Sequence, residues 1–280
     1  MIDDDQVKRA AEAVNEADAL VITAGAGIGV DSGLPDFRGN EGFWREYPPI
    51  ARLGISFVQM ANPGWFEQRP ALAWAFYGHR LQLYRSTEPH EGFQQLLKLG
   101  SEKPGSYFVY TSNVDGQFQK AGFDETRIEE CHGSIHHFQC TLPCCEKIWD
   151  ASGIDVHIDD VKFEAKEPMP VCPHCSRIAR PNVLMFGDWL WISDRTDNQS
   201  RRLRQWLDER RQNNHKLAII EIGAGEAVPT VRRTSEQIAA MYDGILIRVN
   251  PRDISVPEGH CSIASGAAEG IQRLYRLIYT

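Results

Sequence analysis

The chain has no apolar run near the ~20 residues a membrane-spanning helix needs, so no membrane partner is expected. It has no basic excess either. Its 30 lysines and arginines face 38 acidic residues, a formal net charge of −8, which argues against nucleic-acid binding driven by phosphate neutralisation. The opening Met1-Ile2-Asp3-Asp4-Asp5 is acidic where an export leader would be basic and then apolar, so a cytoplasmic location is expected. Without such a leader, the seven cysteines are expected to be thiols or metal ligands, not disulfides. No internal repeat or low-complexity segment is present. What remains is an ordinary soluble composition, 42% hydrophobic and 24% charged over 280 residues. That length suits one large domain, or a large domain with a smaller one inserted.

The most informative stretch is Ala24 to Gly39, AGAGIGVDSGLPDFRG, directly after the apolar run Ala19 to Ile22. A β-like run ending in alternating glycines reads as a strand entering a phosphate-cradling turn, with backbone N–H groups left open to an anion. The dinucleotide fingerprint wants glycines at its first, third and sixth places. Gly25 and Gly27 fit, but the sixth place is Val30. The tail Pro35-Asp36-Phe37-Arg38-Gly39 sets an acid, an aromatic and a guanidinium side by side, which a dehydrogenase turn does not require.

Helical patterns over Val7–Ala17, the second half of Gly42–Tyr84, His90–Leu99, Arg195–Asn213, Val228–Met241 and Ser265–Ile278 alternate with strand-like runs. Those runs are Ser106–Thr111, Ile128–Glu130, Asn182–Phe186, Leu217–Ile222 and Gly244–Val249. The alternation predicts an α/β fold, a Rossmann-like doubly wound parallel sheet with ligands beyond the carboxyl ends of the strands. The strand ends carry Gly25 and Gly27, Asn113 and Asp115, Gly223 to Gly225, and Asn250. Trp74, Tyr77 and Leu81 are spaced for one buried helical face.

Cys131 to Pro181 changes character, and five of the seven cysteines fall between Cys140 and Cys175. Cys172-Pro173-His174-Cys175 is a two-residue-spaced pair. Cys140 with Cys144 or Cys145 supplies a second pair upstream, which together match a structural four-thiolate zinc site. A filled thiolate shell leaves no place for water, so the metal is expected to be structural and to hold a small module poor in apolar residues. His132-Gly133 stands at the joint between this module and the rest, where a cleft is expected. His136, His137 and His174 are read as structural or surface residues.

Taken in order, these parts resemble the sirtuin family in a divergent, bacterial-type form. Gly25 to Gly39 resembles its opening signature, Thr111-Ser112-Asn113-Val114-Asp115 its Thr-Gln-Asn-Ile-Asp strand end, and His132-Gly133 its His-Gly. The four cysteines resemble its zinc module, and Arg180 to Asp188 its Arg-Pro-x-Val-Val-x-Phe-Gly-Glu segment. The resemblance spans about residues 7 to 278. It implies an NAD-consuming protein-lysine deacylase that takes acylated-lysine proteins as partners and releases nicotinamide and O-acyl-ADP-ribose. By the same resemblance, Gly25, Ala26, Gly27, Asp36 and Arg38 hold the cofactor, and Phe37 shields the reactive ribose carbon. Asn113 and Asp115 line the nicotinamide pocket, with Asn113 counted as catalytic, and His132 is the general base. Gly223, Ala224, Gly225 and Asn250 complete the cofactor set. The zinc ligands become Cys140, Cys145, Cys172 and Cys175, because Cys145-Glu146-Lys147 fits the family spacing better than Cys144. The implied division is a NAD-binding domain of 1–41, 84–132 and 181–280, with the insertions 42–83 and 133–180 forming the small domain.

The chain departs from the family pattern in places. Gly29 stands for a serine, Ser112 for a glutamine, and Gly223-Ala224-Gly225 for Gly-Thr-Ser, which predicts an altered cofactor geometry. After Asp188 comes Trp189-Leu190-Trp191 in place of a small peptide-pairing loop. As a strand this would turn both tryptophans to one face, packed into the core; the alternative makes them a wall of the substrate tunnel. Two other readings share the motifs: an ADP-ribosyltransferase or NAD hydrolase, and a non-catalytic NAD-sensing zinc module.

Overall fold

A computed structural model describes residues 3–36 and 39–280, without the side chain of Asn40. Phe37 and Arg38, both assigned above to the cofactor, lie outside the described residues.

The chain enters through β1 (Ala19–Ala24), β2 (Tyr107–Thr111) and β3 (Ile128–Glu130). It then leaves the main sheet for five short strands, β4 (Gly133–Cys140), β5 (Ile148–Asp150), β6 (Ile158–Asp159), β7 (Glu164–Ala165) and β8 (Ala179–Val183). It returns as β9 (Leu217–Ile222), β10 (Ile245–Val249) and β11 (Cys261–Ile263). The main sheet runs β11-β10-β9-β1-β2-β3 with every pairing parallel. Counted along the main-sheet strands alone, this is the order 3-2-1-4-5-6 of a doubly wound dinucleotide fold. The three-residue edge strand β11 is not among the strand-like runs read from the sequence.

Both faces of the sheet are covered, so β1 is buried at every residue. Alternate side chains serve opposite faces. Leu20, Ile22, Ala218 and Ile220 pack against the helices Asp4–Glu16, Glu91–Ser101 and Ala267–Tyr279. Ala19, Val21, Leu217 and Ile219 pack against the helices Asp194–Gln212 and Thr230–Met241.

A third apolar cluster joins the helical stretch 39–86 to the small strands, with Phe43, Tyr47, Trp74, Phe76, Phe138, Val156 and Phe163 in one core. The helix Pro70–Ser86 runs through its middle. It is buried continuously from Leu72 to Gly78, so Trp74 and Tyr77 belong to a helix apolar nearly all round and not to a single face. The Trp74 indole donates to the Ala179 carbonyl at 2.9 Å, tying the helix to β8. β4 pairs antiparallel with β5 and β8, with an irregularity between Ser134 and Phe138. The strand expected at Asn182–Phe186 therefore lies earlier, at Ala179–Val183, because β4 offers pairing partners only back to Gly133.

Candidate active site

β1 and β9 are neighbours, and the strand order reverses between them. Such a reversal opens a crevice beyond the carboxyl ends of the two strands. The turns that follow meet there. Gly25 donates its N–H to the Ile222 carbonyl at 3.0 Å, and Gly27 donates to the Gly223 carbonyl at 3.1 Å. The glycines are needed because backbone touches backbone: a Cβ on Gly27 would lie 2.7 Å from Gly223 Cα. This corrects the sequence reading, which left the amides of Gly25 and Gly27 open to an anion; both are committed to the neighbouring turn.

The crevice is a cavity of about 800 Å³. Gly25, Ala26, Gly27 and Asp36 line one side, Gly223, Ala224 and Gly225 adjoin them, and Asn113, Asp115 and His132 face them. Asn250 is not in the lining. It is fully buried, donates to the Ala224 carbonyl at 2.8 Å and accepts from the amides of Arg252 and Asp253, so it shapes the turn from behind.

The end of β2 supplies two of these groups. The Asn113 amide donates to the Gly25 carbonyl at 3.1 Å, and its own N–H is held by Thr111 Oγ1 at 3.0 Å. Asp115 accepts from the Gln117 N–H at 3.0 Å. Burial nonetheless pushes its carboxyl from an ordinary 3.8 up to about 6; Gln117 and the Arg80 guanidinium act the other way, and Glu130 adds to the rise. His132 follows β3. Burial lowers its pKa below the usual 6.5, with a hydrogen bond to the Ser112 backbone opposing, which favours the neutral ring. Gly133 after it has φ +77°, and a Cβ there would fall 2.1 Å from the Asn182 carbonyl oxygen. The glycine lets the chain turn from the crevice straight into β4.

Sequence reasoning missed one wall. The helix Pro70–Ser86 presents Tyr77, Arg80 and Tyr84 to the cavity. Arg80 is buried, donates to the Tyr84 hydroxyl at 2.8 and 3.0 Å, and lies over the rings of Phe76, Tyr77 and Tyr84. An arginine at helical spacing from two tyrosines on an otherwise apolar face was the available signal.

The opposite lip is the segment 183–189. Arg180 and Asp188 form a bidentate pair at 2.6 and 2.9 Å with both side chains fully buried. Asp188 also accepts from the amides of Met185 and Leu190. Phe186 donates its N–H to the Ala61 carbonyl at 2.9 Å, which stitches the lip to the helical stretch. No strand forms across Trp189 and Trp191, so the core packing expected of both does not occur. Trp191 is half-buried, and Trp189 is 94% exposed at the cavity mouth.

The thiols of Cys140, Cys144, Cys172 and Cys175 lie within 4.8 Å of one another. Cys140 and Cys175 are 3.5 Å apart, and Cys144 and Cys172 are 3.7 Å apart. A zinc–sulfur bond of about 2.3 Å gives tetrahedral edges near ~3.8 Å, so this cluster fits that ion. The fourth thiol is Cys144, not the expected Cys145. Cys145 Sγ approaches Cys144 Sγ at 3.9 Å but is not one of the four sulfurs that all lie close to one another.

The model of the Sir2 family matches residues 25–205 of the chain. Among curated proteins, an NAD-dependent protein deacylase of Thermus thermophilus is 28% identical over 274 residues, spanning 96% of this chain and 94% of the relative. The NAD-dependent protein deacylase 1 of Caldanaerobacter subterraneus subsp. tengcongensis is 33% identical over 177 residues, 63% of this chain and 64% of its own. Among solved structures, an ADP-ribose complex of a mutant Sir2 homologue superposes with a TM-score of 0.69 at 24% identity, covering 97% of this chain and 96% of the other. At that identity the likeness is one of fold.

Proposed function

The chain belongs to the Sir2 family, and from that premise we propose that it is an NAD-dependent protein-lysine deacylase acting at the β1–β9 crevice. The observation that carries the reading is the meeting of His132, Asn113 and Asp115 with the two glycine turns around one cavity. NAD bound there would supply an electrophilic ribose carbon as nicotinamide leaves; with acyl-lysine and one water, the products would be nicotinamide, O-acyl-ADP-ribose and the free lysine.

The chain's own groups suit that chemistry. Burial favours the neutral His132 ring, whose free nitrogen could take a hydroxyl proton. Asp115 is the candidate for orienting a carboxamide, since its ionised oxygens accept from an amide N–H. Asn113 holds the Gly25 carbonyl and so sets the position of the first turn. Leu34, Val114, Val183 and Met185 line the cavity with apolar surface, which keeps water from competing with a weak acyl-oxygen nucleophile. The four thiols around a zinc ion would stabilise the small module and take no part in the chemistry. We assign the two insertions, 42–83 and 133–180, to that module on the strength of their shared apolar core. Among the described residues no helix is long and apolar enough to cross a membrane, and we read the protein as cytoplasmic.

Incubation with NAD, with and without acylated peptide, followed by mass spectrometry tests the reading. O-acyl-ADP-ribose that forms only with peptide, and is lost in His132→Ala, is expected. Free ADP-ribose or modified protein without peptide would favour transfer to another acceptor, and no nicotinamide release would leave a cofactor sensor.

A further inference from the structure

The mouth of the cavity differs from its interior. Among the described residues, the acidic and basic lining groups Asp36, Arg80, Asp115, His132 and Asp188 are all set back from full exposure. Among the described residues the exposed lining is apolar or glycine, and its larger members are Val58, Leu184, Phe186, Trp189 and Val228. Exposed apolar side chains grouped around a ligand cavity mark a contact surface, where singly scattered ones do not.

Trp189 stands out from the rim because the residues on either side of it are held in place. Asp188 before it is clamped on Arg180. Leu190 after it donates to Asp188 Oδ1 at 3.2 Å and accepts from the Gln139 side chain at 2.8 Å. An indole presented on an anchored backbone loses little freedom on contact, which makes it an efficient anchor.

We infer that Trp189, with the rim formed by Val58, Phe186 and Val228, selects acylated polypeptides carrying an apolar side chain next to the modified lysine. The inference rests on the deacylase reading: a polypeptide whose acyl-lysine enters the cavity must lay its flanking residues across this mouth. Among the described residues no charged side chain belongs to the exposed lining, so the described rim offers its apolar area to a hydrophobic flank.

The test is a peptide panel identical except beside the acyl-lysine, with Leu or Phe, Gly, and Lys or Glu at that place. Wild-type kcat/KM is expected to be about tenfold higher for Leu or Phe than for Gly, mostly through KM. Trp189→Ala should collapse that ratio toward one, and Trp189→Phe should keep most of it. Equal rates across the panel, or an unchanged ratio in Trp189→Ala, would overturn the inference and leave deacylation standing. Turnover of no acylated peptide would bring down the functional reading and this inference with it. A dimer that Trp189→Ala dissolves would give the rim to a second copy and also overturn it.

Discussion

The side-chain amide of Asn113 donates to the carbonyl oxygen of Gly25 at 3.1 Å, joining the end of β2 to the first glycine turn across 88 residues of sequence. Both residues are buried, so the carbonyl has no ready replacement from water. Asn113→Ala should cost about 0.5–1.5 kcal/mol, because the Gly25 oxygen loses the amide and keeps only the Ile28 N–H at 3.2 Å. Asn113→Asp should cost more, because a carboxylate would face the carbonyl. Urea denaturation gives the stability order, wild type above Ala above Asp. NAD-dependent nicotinamide release should fall in the same order, since the turn moves with the bond. Equal stability of Ala and Asp would mean the amide does not donate as described.

Asp115 predicts opposite pH effects on stability and on activity. Its pKa is raised from 3.8 to about 6 in the folded chain, chiefly by burial. A carboxyl raised on folding stabilises the fold below its unfolded value, and this contribution is lost as pH rises through the folded value. Asp115→Asn should therefore match wild-type Tm near pH 4 and exceed it above pH 6. Turnover that uses the carboxylate should fall in wild type as pH drops through about 6, and should be low at every pH in the Asn variant. A Tm difference constant from pH 4 to pH 8 would remove the buried carboxyl from the account.

The thiol cluster makes a prediction that separates two neighbouring residues. Cys144→Ser should lose the metal, measured as zinc per chain by elemental analysis, and unfold at lower temperature. Cys145→Ser should keep one zinc and the wild-type Tm, because its sulfur lies outside the cluster. Chelator treatment of wild type should reproduce the Cys144→Ser phenotype, since metal binding is folding free energy for such modules. Zinc retained in Cys144→Ser and lost in Cys145→Ser would restore the spacing argument over the geometry.

How much of this was legible depends on whether a feature is local. β9 was readable to the residue because it is a continuous apolar run buried on both faces. The crevice was readable because glycines and polar groups end several such runs. Arg80 was not, because helical periodicity says that a face is buried and not whether it meets core or cavity. The choice between Cys144 and Cys145 turned on side-chain direction in a turn, which spacing does not contain. Asn250 sits at a strand end as expected, but its amide is spent on Ala224, and only tertiary hydrogen bonds reveal that. Trp189 failed as a core residue because the buried Asp188–Arg180 pair fixes the lip in a non-strand path.

Gly27 and Gly223 give the sharpest steric prediction. Gly223 has φ +64°, and a Cβ there would lie 2.4 Å from the Gly27 carbonyl carbon. Contacts below 3.0 Å with backbone cannot be relieved by turning a side chain, so the turns must part. Gly223→Ala adds the cost of a left-handed conformation, roughly 1–2 kcal/mol. It should weaken the Gly27 N–H to Gly223 carbonyl bond, 3.1 Å long here, and open the floor of the crevice. Gly33 is the control. It also has positive φ, at +86°, but a Cβ there meets nothing within 4 Å, so Gly33→Ala carries the conformational cost without the clash. Gly223→Ala should therefore lose NAD binding in calorimetry and several degrees of Tm, and Gly33→Ala should lose only part of the Tm. Equal NAD affinity in the two variants would show that the crevice tolerates separation of its two turns.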